Sequence, residues 1–208
     1  METIVLKFGG TSVGSTDRIS AVADLIQAAS KEAFPVVVVS AMSGETNRLI
    51  DLAQSFGSEP NKREFDALVS TGEKVSASLV AIALNHLGLK AKSLSAAQFG
   101  MKTTSHFSRA KILDMNNDIL FQTIEEGYIP IITGFQGITA AGDTTTMGRG
   151  GSDTTAVAIA ASIKAKRCDI YTDVDGIYTT DPRIVPEAKK LDSISMEEML
   201  ELSGQGAK

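Results

Sequence analysis

Five short segments of this sequence join glycine, hydroxyl and charged residues in patterns suited to binding anions. KFGGTS, residues 7–12, sets Lys7 directly before Gly9 and Gly10 at the end of an apolar run. Glycines let a backbone approach a ligand closely and present its N–H groups, and the lysine adds a positive charge. The phosphate loop G-x-x-x-x-G-K-[ST] is absent, because no Gly-Lys pair occurs in the chain. A phosphate held at Lys7 is therefore held in another way. GRGGSDTTA, residues 148–156, reads as glycines opening an apolar helix, which directs free N–H groups and the positive dipole end forward. Arg149 adds a planar fork suited to a carboxylate or phosphate. Asp153 occupies the place of the last glycine of G-x-G-x-x-G, so a dinucleotide fingerprint fails. TDVDGIYTTDPR, residues 172–183, sets Tyr178 and Arg183 among Asp173, Asp175 and Asp181, an aromatic and a cation able to frame a nucleotide. Its acidic residues do not make an EF-hand, because no Glu closes a loop of the required length. In STGEKVSA, residues 70–77, Glu73 is a carboxylate that could receive a cationic substrate group such as an α-amine. SAMSGETN, residues 40–47, completes the set.

Each segment also has an ordinary structural explanation. Glycines after strands make turns, Ser152 or Asp153 caps a helix, and Arg149 sits solvated in a turn. Glu73 favours the dipole of a first helical turn. Asp175-Gly176 and Asp181-Pro182 suit turns. A site is indicated only if the segments converge.

Short β-branched runs alternating with helical patterns predict a mostly parallel sheet covered on both faces. Strands are expected at Thr3–Phe8, Pro35–Ala41, Ala91–Ser95, Tyr128–Thr133 and Cys168–Thr172. Helices are expected from Ser15–Asp17 through Ala29, over Asn47–Phe56, and across Glu64–Leu87 with a break near Thr71 and Gly72. Others follow over Asn116–Glu126 and Ser152–Lys164, and one starts at the capping box formed by Ser195 and Glu198. Gly100–Ile112 reads as irregular or hairpin structure and Gly134–Gly151 as a glycine-rich loop. Ligands of open α/β sheets lie beyond the carboxyl ends of the strands, where four of the polar segments fall. With no repeat or linker, the pattern predicts one α/β domain.

At 208 residues, with 43% hydrophobic and 22% charged residues, the chain has ordinary globular composition. A net charge of −5 provides no footprint for nucleic acid. The longest strongly apolar stretches, Val36–Val39 and Leu79–Leu84, fall far short of a ~20-residue membrane helix, and the N-terminus lacks a signal-peptide pattern. A cytosolic protein without membrane partners is expected. Cys168 is the single cysteine, and with only His86 and His106 no zinc-ligand cluster is written in the sequence.

In order along the chain, KFGGTSVG, STGE, GFQG, GRGGSDTTA and YTDVDGIYTTDPR closely resemble the motifs of the aspartate kinase catalytic domain, within the amino acid kinase family. The resemblance runs end to end and implies the three-layer αβα, carbamate kinase-like fold over residues 1–208. It implies transfer of the γ-phosphoryl group of MgATP to the β-carboxylate of L-aspartate, the entry to lysine, threonine and methionine synthesis. On that resemblance Lys7 lies near the transferring phosphoryl group, with Gly9, Gly10, Thr11 and Ser12 in the adjacent loop. Ser40 and Thr46 match positions near the amino-acid and phosphate sites. Glu73 matches the residue that holds the substrate amine and Arg149 the one that holds its carboxylate, with Gly150, Ser152 and Asp153 beside it. Thr172, Asp173, Tyr178, Asp181 and Arg183 match the nucleotide pocket, and Lys208 the lysine that reaches ATP from the next helix. Homo-oligomers are common in the family. The family continues beyond GAK into more of the kinase domain and paired ACT regulatory domains, of which this sequence has none, and LSGQGAK departs from a Leu-Ala-rich version. Competing readings are a sister enzyme acting on acetylglutamate, glutamate or UMP, and a nucleotide-binding or subunit-interaction module with little turnover.

Overall fold

Strand and helix alternate through most of the chain in the computed structural model, which describes residues 2–204. The elements are β1 (Thr3–Phe8), α1 (Thr16–Ala29), β2 (Phe34–Val39), α2 (Glu45–Gln54), α3 (Lys62–Val69), α4 (Thr71–His86), β3 (Ala91–Leu94) and α5 (Ala96–Phe99). Then come β4 (Met101–Thr103), β5 (Ile112–Met115), α6 (Asp118–Glu125), β6 (Ile129–Thr133), β7 (Gln136–Ile138), β8 (Thr144–Thr146), α7 (Gly151–Ser162), β9 (Cys168–Tyr171) and α8 (Met196–Gly204). Contacts group the chain into two units, residues 1–172 and 173–208.

In the first unit a five-stranded sheet has the order β3-β6-β2-β1-β9, every pairing parallel. Strand alternation divides its side chains between two cores. Ile4, Leu6, Phe8, Val37 and Val39 pack with Ile19, Val22 and Ile26 of α1 and Ala77, Val80 and Leu84 of α4. Val5, Val36, Val38 and Ile132 pack on the opposite face with Phe99, Leu120, Ile124, Ala156 and Ile159, from α5, α6 and α7. The result is a three-layer αβα sandwich, as expected. The helices after β1 and β2 cover one face and those after β3 and β6 the other, so the topological switch lies between β2 and β6. Ligand crevices open beyond the carboxyl ends of strands at such a point.

The expected glycine-rich loop over 134–151 is corrected. Its middle is an antiparallel hairpin of β7 and β8, part of a second sheet of order β5-β4-β7-β8. Strands of three residues are too short to show a period, and here their pairing comes from neighbours. Gly137 lets β4 approach so closely that a Cβ would overlap Thr103 Cγ2, and the Thr103 and Thr145 hydroxyls meet at 2.6 Å.

Lys62–His86 is the one stretch among the described residues long and apolar enough to compare with a membrane span. It is two helices, broken at Ser70, with Asp66 and Glu73 buried within it. In the second unit Tyr178 pairs with Lys190, and Ser195 and Glu198 form the expected reciprocal cap of α8, with bonds of 2.9 and 3.2 Å.

Candidate functional site

Lys7 shares the inward alternation of Val5 on β1 and therefore faces α7. It is only 6% exposed, and a buried ammonium requires a charged partner. That partner is Asp153 in the first turn of α7, with Nζ 2.5 Å from Oδ1. Oδ1 is closed to solvent and meets the ammonium as an ion pair without aligned hydrogen-bond geometry. The loop after β1 is pinned on both sides. Gly9 donates its N–H to Tyr171 O at 3.1 Å, and Ser43 donates to Gly10 O at 3.1 Å. A Cβ on Gly10 would lie 2.9 Å from Ala41 O. Thr11 is exposed and Ser12 half-buried, its N–H donated to Gly9 O.

Beyond β2 the same alternation sends neighbouring residues to opposite layers. Ser40 turns toward α7, its hydroxyl 2.8 Å from that of Ser152. Ala41 donates its N–H to Glu73 Oε1 of α4 at 3.1 Å. Ser76, one helical turn after Glu73, donates its hydroxyl to Ser40 O at 2.7 Å. A continuous polar chain thus runs from Lys7 through Asp153, Ser152, Ser40 and Ser76 to Glu73.

Glu73 is 3% exposed and its Oε2 has no hydrogen-bond partner. Burial raises its pKa to about 7, against the lowering effect of backbone N–H bonds, including that from Ala41. An orphaned buried carboxyl oxygen is a receptor for a donor, and a cation suits it best.

Two helices enter this region with no side chain capping their first turn. α2 starts after Gly44 (φ 81°) and carries Thr46, and α7 starts after Gly150 (φ 73°). Both are suited to anions. Arg149 is exposed beside Gly150, with no ion pair among the described residues. Gly134, at the end of β6, allows α7 to sit against the sheet, because a Cβ there would lie 2.6 Å from Ser152 Cβ and 3.0 Å from Val39 O. Gly134→Ala is expected to destabilise the fold by ~1–3 kcal/mol, the range for overpacking. A urea midpoint equal to that of the wild type would exclude this role for the glycine.

Thr172 follows β9. Asp173, Tyr178, Asp181 and Arg183 belong to the second unit, where the Tyr178 hydroxyl donates to Asp175 at 2.8 Å and Arg183 grips Asp181 with bonds of 3.0 and 2.7 Å. The Tyr178 bond holds the Asp175 carboxyl below its usual range. Lys208 lies outside the described residues. Sequence reasoning missed Ser76 and the role of the Ala41 N–H. Ser76 was detectable only as the residue one turn after Glu73, while the N–H carries no side-chain signal.

The sequence model of the Amino acid kinase family matches residues 2–208. The chain belongs to the amino acid kinase family. An aspartate kinase of Pseudomonas putida is 50% identical, and an aspartokinase of Geobacillus stearothermophilus 51%, each alignment covering 100% of this chain and 51% of the relative. The chain therefore spans about half the length of the curated relatives it matches. Among solved structures, an aspartate kinase from Synechocystis matches with a TM-score of 0.84 at 48% identity, over 98% of this chain and 34% of that one. E. coli aspartokinase III in complex with aspartate and ADP matches with a TM-score of 0.86 at 31% identity, over 99% of this chain and 57% of that one. Within this amino acid kinase fold the polar chain lies at the carboxyl edge of the sheet, around the topological switch.

Proposed function

We propose that residues 1–208 are the N-terminal part of the catalytic domain of an aspartate kinase. The γ-phosphoryl group leaves ADP as its bond to the β,γ-bridging oxygen breaks, and a bond forms to a β-carboxylate oxygen of L-aspartate, giving 4-phospho-L-aspartate. The observation that carries this reading is the polar chain with a charge-neutralising end at Lys7, aimed by Asp153, and an amine-receptive end at the orphaned Glu73 oxygen. The aspartate kinase relatives matched over the whole chain support the choice of substrate.

The chemistry needs no general base, because a side-chain carboxyl of pKa ~3.9 is already ionised at neutral pH. Bringing anion to anion instead demands neutralisation and alignment. Lys7, the N–H of Gly10 and the start of α7 take that role, with Gly9 allowing the close approach and Thr11 and Ser12 beside the phosphates. Glu73 receives the substrate amine and Arg149 its α-carboxylate, with Ser40, Thr46, Gly150 and Ser152 lining the same wall. Thr172, Asp173, Tyr178, Asp181, Arg183 and Lys208 are assigned to the nucleotide. Mg²⁺ belongs to the substrate MgATP; among the described residues no group of three His, Cys, Asp or Glu side chains is arranged to hold a metal. The reading carries with it a cytosolic, homo-oligomeric enzyme at the entry to lysine, threonine and methionine synthesis.

The test is ADP release with MgATP and L-aspartate, L-glutamate, N-acetylglutamate or UMP, with hydroxylamine trapping of any acyl phosphate. Aspartate-dependent release with a trapped hydroxamate is expected. Preference for another acceptor, or ATP binding without turnover, would overturn the proposal.

A further inference from the structure

Asp66 is the other carboxylate buried in the first unit, at 0% exposure, and the chemistry above does not use it. It lies on α3 and accepts four hydrogen bonds. Oδ2 takes the N–H groups of Ser108 and Thr146 at 2.8 and 2.7 Å, and Oδ1 takes their hydroxyls at 3.0 and 3.0 Å. An acceptor-only group surrounded by four donors is what an ionised carboxylate satisfies. Ser108 is held with φ 65°, in the left-handed region that a serine seldom adopts.

These bonds close a ring. Thr146 on β8 is in register with Gln136 on β7. Gln136 donates its side-chain amide to Ser70 O at 3.0 Å, and Ser70 donates its N–H to Asp66 O at 3.0 Å. The ring ties the break between α3 and α4 to the hairpin before α7. Glu73 lies three residues beyond Ser70, and Arg149 three residues beyond Thr146. Met147, between Thr146 and Arg149, is held by its N–H to Phe135 O at 2.9 Å.

We infer that Asp66 is a positioning residue that fixes the separation between Glu73 and Arg149, and so the fit of the α-amine and α-carboxylate of the amino-acid substrate. This rests on the aspartate kinase reading. The α-amine and α-carboxylate stand a fixed distance apart in any amino acid, so a drift of the Arg149 loop weakens the grip on both groups at once. The phosphate loop at Gly9 and Gly10 is pinned through Tyr171 and Ser43 and is independent of the ring.

The experiment uses the full-length protein and measures KM for L-aspartate, KM for MgATP and kcat for the wild type, Asp66→Asn and Thr146→Val. The asparagine amide can turn its oxygen to the two N–H groups and its NH2 to the two hydroxyls, which rotate to accept from it, so the network keeps its shape and loses its charge. Asp66→Asn is expected to raise the aspartate KM ~10-fold, as loss of charge-assisted bonds implies, with the MgATP KM within about 2-fold. Thr146→Val, which loses one hydroxyl, is expected to move the aspartate KM less and in the same direction, and carries the test if the asparagine variant does not fold. A merely structural role would lower the active fraction, and so apparent kcat, and leave both KM values in place. That result, or equal increases in both KM values, would overturn the inference while leaving wild-type aspartate turnover intact. A wild type without aspartate turnover would remove the functional reading and this inference with it.

Discussion

Lys7→Ala is expected to lower kcat ~10²-fold or more, the scale on which loss of one preorganised charge-stabilising donor is felt, with the aspartate KM changed far less. The ammonium is 6% exposed and aimed by Asp153, so its orientation is set before substrate arrives and needs no reorganisation during the reaction. Arginine is a poor replacement, because its wider fork does not fit a compact buried site built around a point charge. Alanine leaves the Asp153 carboxylate without its partner. That side chain is 44% exposed and can hydrate, so the loss in stability is expected to be small beside the loss in rate. Steady-state kinetics at saturating aspartate and MgATP, with a urea melt on the same sample, separate the two. Turnover near that of the wild type would remove Lys7 from the catalytic role.

Glu73→Gln is expected to do two opposite things. Glutamine can still accept the Ala41 N–H, but it cannot offer an anionic oxygen to an ammonium, and charge-assisted bonds are worth ~1.5–3 kcal/mol. The aspartate KM should rise by ~10- to 100-fold. Stability above neutral pH should increase, because the variant buries no charge. For the wild type, burial raises the carboxyl from 4.5 to about 7, so the folded protein holds a proton that the unfolded chain has released. The stability from this group is complete below pH 4.5 and is lost as pH rises through about 7; at ~1.4 kcal/mol per pH unit that amounts to about 3 kcal/mol. Binding runs the other way. An ammonium requires the ionised form, so the wild-type aspartate KM should fall as pH rises toward about 7 and level off beyond it. In the glutamine variant both slopes should vanish. An unchanged aspartate KM in that variant would show that the amine is held elsewhere.

Much of the fold was legible because its periods are local. The apolar runs of β1 and β2 and the helical spacing of Ile19, Val22 and Ile26 announced elements that the structure contains, and the break between α3 and α4 fell at Ser70, one residue before its expected place. The loop over 134–151 was misread because β7 and β8 are three residues each, too short for a pattern, and exist through pairing with β4 and with each other.

The sequence by itself determined the residue types of the site, since Lys7, Glu73, Arg149 and Asp153 are written in motifs whose glycines announce close approach. It also placed the motifs of Lys7, Arg149 and Asp153 beyond strand ends and that of Glu73 in a helix, and a parallel sheet puts every carboxyl end on one edge. Only the tertiary structure decided which of them meet. Strand alternation sends Lys7 and Ser40 to α7 and the N–H of Ala41 to α4, and only packing makes Glu73 a carboxyl with one oxygen satisfied and the other alone. Asp66 shows the same limit. Its four donors come from residues 42 and 80 positions away, and no local rule relates a buried carboxylate to partners brought to it by a hairpin.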